Sequence, residues 1–576
     1  MDKVRNFAHA NRQMLSMALV FVFLASALGS ALAPQKANAQ QEAGIVITGR
    51  VLNTQGQSIE GARVMLHDGD ENEIAAQTET GEEGVWTLEM ARLPEGPLEL
   101  QIERQHYQRL AIPLNPNMQQ DLDERGALLM GEIELERRIT SAFWAATLIF
   151  LGVLLVIAFE KLHSTTAALA GLSAVFLFSV IGGAFNTDFF IYDFERALTY
   201  INWEVIFLIM GMMILIAVIE GTGIFQWTAF QAYRLSRGRA WLLVLILMAV
   251  TAVASALLDN FTTMLLMTPI SLQIGLALGI NPLAFIIPEV LASNVGGITT
   301  LIGTPTNILI GAYADISFQD FLVNQTVGVL LALVGMAAYV MYHYRHELRK
   351  HPAGISETLY ARLESNARIR DPQALWKSGL VFVLVLVGFI VGEQFHVVPA
   401  VPAIIGATAL LVWLRPDVHA MIKAVDWTTL VFFMALFMVV GAVQEVGFIS
   451  MIAVRMAQMI GENLILGIAV IVFGVGTLSV AIANIPLAAS MLPVAEFLSG
   501  SIPGASSKVL YYALSMGAAM GGNGLLIGGE ANLVTAGIAS QAGSPISFKE
   551  FMKVGLPVTY ITLTAGFLWL LFRFGM

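Results

Sequence analysis

Asp259-Asn260-Phe261-Thr262-Thr263 places a carboxylate, an amide and two hydroxyls in the middle of an apolar stretch, and Glu530-Ala531-Asn532 places an acid and an amide in another. A carboxylate in hydrocarbon is costly unless it is paired, protonated or bound to a cation. Asp259 therefore reads as a proton carrier or Na+ ligand, or as a cap satisfying helix N–H groups. Glu530 reads as a ligand of a coupling cation or as half of an ion pair. Around them lie Gly296-Gly297, Gly303-Thr304-Pro305-Thr306-Asn307, Gly521-Gly522-Asn523-Gly524 and Gly528-Gly529. Glycine permits close backbone approach and proline stops a helix, so the backbone there is broken. Freed carbonyls can hold a small cation, while half-helix N-termini face an anion. The candidate binding residues are Asp259, Asn260, Thr262, Thr263, Asn294, Gly296, Gly297, Thr300, Gly303, Thr304, Asn307, Asn484, Pro486, Gly521, Gly522, Asn523, Gly528, Glu530 and Asn532. Na+ is expected at Asp259, Asn260, Asn484 and Glu530. Glu289 is a weaker acid candidate, read as lying near an interface, and Ser293, Thr299 and Thr300 read as lining or packing residues.

Chemistry of other kinds is scarce. The 576 residues are 56% hydrophobic and 13% charged, which puts most of the chain in lipid. There is no cysteine, hence no disulfide, thiolate metal site or cysteine nucleophile. The nine His are scattered and no Gly-Lys-Ser/Thr phosphate loop occurs, which argues against a zinc hydrolase and an ATP-driven pump. The net charge is −11, and the segment Gln40–Arg138 carries 8 Lys/Arg against 19 Asp/Glu. The acidic excess thus sits in one polar segment, of the wrong sign for nucleic acid. No catalytic set is expected, nor any cofactor beyond Na+ or H+ as coupling ion.

The elements that must position these residues can be placed. A basic start, the apolar run Met14–Ala33 and Ala37-Asn38-Ala39 make residues 1–39 a signal peptide, or alternatively an uncleaved first helix. Either way the next segment lies outside the cytoplasm. Short alternating runs such as Ile45-Val46-Ile47, Ala62-Arg63-Val64-Met65-Leu66 and Val85-Trp86-Thr87-Leu88, separated by turn signals, predict a small all-β sandwich over 40–138. From Phe143 on, apolar stretches predict full spans near 143–159, 165–184, 203–219, 322–344, 379–395, 400–414, 427–446 and 554–573. Two broken spans follow near 283–312 and 508–537, and two re-entrant hairpins near 240–274 and 464–498. Phe225–Arg237 reads as an amphipathic interfacial helix. Seven Lys/Arg in the loop Arg345–Lys377 put it in the cytoplasm, and the acidic loop Asn186–Glu204 suits the outside.

Self-similarity organises the membrane part. Asn202–Phe225 aligns with Asp426–Ile449 at an offset of 224 residues, which also pairs Asn260 with Asn484 and Pro269 with Pro493. Gly296-Gly297-Ile298-Thr299-Thr300 matches Gly521-Gly522-Asn523-Gly524-Leu525 at an offset of 225, pairing Glu530 with Pro305. Upstream, Glu160 and His163 pair with Glu393 and His396. The repeats are therefore 139–344 and 378–576, joined by the loop 345–377. Five crossings per copy make the copies inverted, the architecture of secondary transporters. The halves differ chemically, because Ala483 stands where the first copy has Asp259.

The motifs "ALLDNFTTMLLMTPI", "ASNVGGITTLIGTPTNILI" and "GGNGLLIGGEANLVTAGIASQAGSPISFKEFMKVGLPVT" resemble the ion transporter superfamily. The likeness is to its branch of arsenite permeases, D-type sodium–proton antiporters and P-protein, relatives of citrate and dicarboxylate carriers. The resemblance implies substrate and Na+ sites at hairpin tips and broken helices, and a homodimer. Only Asn260 and Asn484 carry over directly from the Ser-Asn-Thr tips of the dicarboxylate relatives. P-protein-like members have Asp-Asn in the second hairpin too and a small residue at the position of Glu530. Residues 40–138 resemble the carboxypeptidase-regulatory-like domain.

The expectation is a multi-pass secondary transporter of a bacterial inner membrane, with a periplasmic sandwich. Its cargo is a small oxyanion or carboxylate moved with Na+ or H+. The alternatives are Na+/H+ antiport through Asp259, or a membrane sensor reading a ligand through the sandwich.

Overall fold

The computed structural model describes residues 45–575 apart from 55, 69–72, 95, 160, 350–363 and 366. The expected signal peptide, Glu160 and much of the expected cytoplasmic loop lie outside the described residues. The chain divides into two compact units at Arg138/Ile139.

In the first unit, alternation of side chains builds two sheets. One has the order β4 (Val85–Met90), β1 (Ile45–Asn53), β7 (Ala127–Leu135), with β1–β4 antiparallel and β1–β7 parallel. The other has the order β3 (Glu73–Glu79), β2 (Arg63–Asp68), β5 (Leu98–Glu103), β6 (Leu110–Pro113), all antiparallel. Ile47, Val64, Leu66, Trp86, Leu88, Leu100 and Ile102 fill the core. Burial of such apolar side chains is the main term holding a small sandwich together. An all-β reading missed one helix, Pro116–Arg125, between β6 and β7. It starts on Asn115, whose side chain accepts from the Met118 N–H, with Pro116 in its first turn, and it stops at Gly126 with φ 66°.

The second unit is helical, and its halves repeat helix for helix. Ser141–Ala158, Ser164–Leu177, Trp203–Gly221 and Ile224–Ser236 correspond to Pro372–Gly392, Ala400–Leu414, Trp427–Glu445 and Phe448–Ile460. The first hairpin has arms Ala240–Leu257 and Asn260–Ala277. The second has an arm from Leu464 to Ser479, with a π-turn at Val470–Val475, and an arm Asn484–Ser501. The broken spans are Leu283–Gly296 with Pro305–Ala314, and Val509–Gly521 with Glu530–Gln541; Phe318–His343 and Phe548–Phe574 close the two halves.

Eight helices among the described residues are long and apolar enough to span a bilayer. Seven of them are expected full spans, and the eighth is the hairpin arm Ala240–Leu257. Ala400–Leu414 has 15 residues, about 22 Å of helix, shorter than a typical span.

The packing between halves is reciprocal. Asn260–Ala277 lies against Glu530–Gln541, and its counterpart Asn484–Ser501 against Pro305–Ala314. Trp203–Gly221 packs on Ala400–Leu414, Ser164–Leu177 on Trp427–Glu445, and Phe318–His343 on its own counterpart, Phe548–Phe574. Close approach inside the first half depends on Gly296, where an added Cβ would lie 2.5 Å from the Ala252 Cα and carbonyl oxygen. That position has no flexible neighbour to yield. Gly296→Val should therefore destabilise by about 1–3 kcal/mol or more and lower the melting temperature in detergent. Gly152→Ala, with no atom within 4 Å of the added Cβ, should melt like the parent protein.

Candidate functional site

Each broken span is tied across its gap by one asparagine side chain. Asn307 Nδ2 donates to the carbonyls of Ile298 at 3.0 Å, Thr300 at 2.8 Å and Gly297 at 3.4 Å. Its counterpart Asn532 donates through Nδ2 to the carbonyls of Gly522 at 2.8 Å and Leu525 at 3.1 Å. These are the same backbone positions displaced by 225 residues. Glycine is required where the strands of each gap meet: a Cβ on Gly297 would lie 2.5 Å from the Gly303 carbonyl, and one on Gly528 2.6 Å from that of Gly522. Ser255 Oγ to the Ser293 carbonyl (2.8 Å) and Ser479 Oγ to the Ala518 carbonyl (2.6 Å) pin each first arm to its broken helix. Breaks of this kind persist in hydrocarbon only when their polar groups are satisfied within the protein.

Superposed on this symmetry is an asymmetric chain of amides. Asn260 Nδ2 donates to Asn294 Oδ1 at 2.8 Å, and Asn294 Nδ2 donates to Asn523 Oδ1 at 2.8 Å and Asn532 Oδ1 at 3.0 Å. Asn523 Nδ2 reaches the Leu291 carbonyl at 3.3 Å. Asn294 and Asn523 have Ala519 and Ile298 as counterparts, so only one end of the pseudo-symmetric core carries this chain. Ser515 Oγ occupies the other end, donating to Asn307 Oδ1 at 2.6 Å.

Beside the chain lies a small part-open cavity of about 30 Å³, room for about one water or small cation, lined by Asp259, Pro305, Asp426 and Glu530 and walled by Met212, Met213, Phe261 and aliphatic side chains. Four helix N-termini converge on it. Asp259 is the N-cap of Asn260–Ala277 and Asp426 that of Trp427–Glu445, while Pro305 and Glu530 open their own helices. Asp259 Oδ1 accepts from the Thr262 N–H at 2.7 Å. Asp426 accepts from the N–H groups of Thr428 and Thr429 at 3.0 and 3.2 Å and from Thr429 Oγ1 at 2.6 Å. No Lys, Arg or His lines the cavity, and among the described residues none forms a salt bridge with these three acids. Among the described residues no group of three His, Cys, Asp or Glu is placed to hold a metal by those side chains alone. Backbone and amide oxygens would have to complete any cation shell.

The expected residues fall into groups. Asp259 and Glu530 share the cavity; Asn260, Asn294, Asn523 and Asn532 share the amide chain; Gly296, Gly297, Gly303, Gly521, Gly522 and Gly528 build the breaks. Thr304 caps its half-helix through the Asn307 N–H, Thr300 Oγ1 donates to the Ala256 carbonyl, and Thr263 is buried. Thr262 donates its backbone N–H to Asp259. Asn484 and Pro486 are buried at the start of the second arm and line neither the cavity nor the amide chain. The ion-pair reading of Glu530 finds no partner among the described residues. Glu289 is fully buried between packed helices. Asp426 was missed as a lining residue, because an acid before an apolar helix reads as a cap. Met212 and Met213 form part of the wall.

A family model described as "Citrate transporter" matches residues 154–517, well over half the chain. The chain belongs to the citrate transporter family. A second family model, "Carboxypeptidase regulatory-like domain", matches residues 46–124. An uncharacterized transporter of Mycobacterium bovis is 37% identical over 429 residues, covering 74% of this chain and 97% of its own. The P protein of Homo sapiens is 31% identical over 539 residues, covering 80% of this chain and 63% of its own. Among solved structures, the YdaH transporter of Alcanivorax borkumensis aligns with a TM-score of 0.48 at 16% identity, covering 75% of this chain and 99% of that one. The chain is a multi-pass membrane transporter.

The amide ties are expected to govern stability more than their number implies. Asn532→Ala leaves one buried and one part-buried carbonyl without their donor and should cost about 1–3 kcal/mol. Asn294→Ala breaks the chain in both directions and should cost more. Thermal melting and hydrogen exchange of residues 521–532 measure both effects.

Proposed function

We propose that this protein is a secondary active transporter driven by a monovalent cation, Na+ or H+, bound in the cavity of Asp259, Asp426 and Glu530. The single observation behind this reading is the convergence of helix N-termini and carboxyls on one cavity. Four helix ends contribute about +0.5 each, about +2 together, against −3 for three ionised carboxyls. The balance is about −1, which one bound proton or monovalent cation neutralises. A carbonyl- and carboxyl-lined site of this kind needs no nucleotide, and no enzymatic step is part of the proposal. Cation–proton exchange through Asp259 follows most directly, since an acidic cavity without a basic side chain favours a cation.

A second reading, symport of a small carboxylate or oxyanion, is favoured by the helix N-termini at Pro305 and Glu530 and by the description of the matched family. In that case the anion enters only with the cation, which turns the cavity from repelling to attracting. The two repeats are proposed to cross the membrane in opposite senses. The protein is assigned to a bacterial inner membrane as a homodimer, with the sandwich in the periplasm.

Purified protein in liposomes under imposed Na+ or H+ gradients tests the coupling. Asp259→Asn and Glu530→Gln should each lower gradient-driven flux by at least about tenfold, the loss of roughly 1.4 kcal/mol of binding, while Glu462→Gln, in an exposed turn, should leave it unchanged. Flux indifferent to both gradients rejects the reading. Cation flux without any added anion supports exchange, and an absolute requirement for a carboxylate or oxyanion supports symport. Removal of residues 45–138 is expected to leave flux largely intact, because the helical unit is compact by itself.

A further inference from the structure

Away from the cavity, the first half encloses a carboxyl that nothing described so far uses. Glu289 sits in Leu283–Gly296 with no exposed surface. Its Oε1 accepts from Ser271 Oγ at 2.8 Å and from Thr251 Oγ1 at 3.4 Å, while Oε2 is buried with no partner among the described residues. Thr251 and Ser271 come from the two arms of the first hairpin, so the carboxyl is held in the seam where both arms meet the broken helix. Thr263, on the same arm as Ser271 and eight residues nearer the tip, also has a buried hydroxyl without a partner.

The repeat supplies an internal control. At the matching positions of the second half, Thr251, Ser271, Glu289 and Thr263 are replaced by Val475, Ala495, Leu514 and Leu487. Yet the broken helix and the serine pin to it recur there, with Ser479 standing for Ser255, although the pinned arm carries a π-turn at Val470–Val475. The fold therefore does not need an acid in this seam. A buried group retained against its desolvation cost, where the same fold is made with leucine, calls for another explanation.

We propose that Glu289, cradled by Ser271 and Thr251, is a single-proton binding site separate from the cavity, and that loss of its proton loosens the first hairpin. With one oxygen unpartnered and two neutral hydroxyls as its partners, the site suits a protonated carboxyl. Ionisation without a counter-charge would favour admitting water between the arms and the broken helix. No titratable group on either arm competes, since Ala240–Leu257 and Asn260–Ala277 contain none. The other elements packed on Leu283–Gly296 carry Asp320, Tyr339, Tyr342 and His343; Tyr511 and Tyr512; Glu530; and Lys549, Glu550, Lys553, Tyr560 and Arg573. The hydrogen-bond partners of Glu289 among the described residues are the two hydroxyls.

The natural absence of cysteine makes the test direct. In the full-length protein with Met248→Cys, a buried position one turn from Thr251, labelling by a water-soluble maleimide is measured against pH. After correction for ionisation of the thiol itself, the rate should rise roughly tenfold per pH unit once Glu289 begins to release its proton. Adding Glu289→Gln, the neutral isostere, should abolish the rise. Glu289→Leu, the residue of the second half, serves where the glutamine variant does not fold. Infrared spectra should lose one carboxylic-acid C=O band between the parent and Glu289→Gln. A pH-independent labelling rate, an equal rise in both proteins, or no lost band overturns the proposal. None of these readouts requires transport, so the cation-coupling reading stands or falls separately.

Discussion

A backbone gap in hydrocarbon must find all its hydrogen bonds inside the protein, and this constraint governs the rest of the helical unit. Asn307 and Asn532 meet it by gathering the carbonyls of their own gaps, so that each span can stop and restart. Because the carbonyl ends are satisfied there, the restarting half-helices can aim their N–H ends at a common space. The hairpins and glycines serve the same requirement. Gly296 lets an arm approach closely enough for Ser255 to bind the opposite carbonyl, and Gly297 and Gly303 let the two sides of the gap touch.

Duplication supplies the scaffold, and the departures from it supply the chemistry. Elements, serine pins and asparagine ties recur at offsets of 224 and 225 residues. The acids do not: Asp259 faces Ala483 in the alignment, Glu530 faces Pro305, and Glu289 faces Leu514. One half contributes the hairpin-tip acid and the other the half-helix acid. The two meet only because each second arm packs on the half-helix of the other copy.

Much of this was legible in the residues. Apolar length placed the spans, Gly-Pro-Asn clusters placed the breaks, and self-similarity paired them. Alternation located strands such as Val85–Met90. What escaped shares a physical cause: periodicity tells a buried face from an exposed one, but not lipid from cavity or core. The apolar run that holds Met212 and Met213 therefore does not disclose that they wall the cavity, nor does Asp426, at the head of an apolar helix, disclose that it lines it. An acid five residues before Asn294 gives no sign in the sequence that the two arms of a hairpin enclose it, as they do Glu289. The short helix Pro116–Arg125 was overlooked although Asn115, Pro116 and Gly126 mark its ends.

The amide chain joins Asn294 to residues 229 and 238 positions later. During synthesis the first half thus enters the bilayer long before the partners of its central amide exist. Chaperoning by lipid, translocon or water has to cover that interval. The order of manufacture has a second consequence: a polypeptide truncated by premature termination before residue 426 lacks Asp426, Thr429 and Glu530, and with them one wall of the cavity.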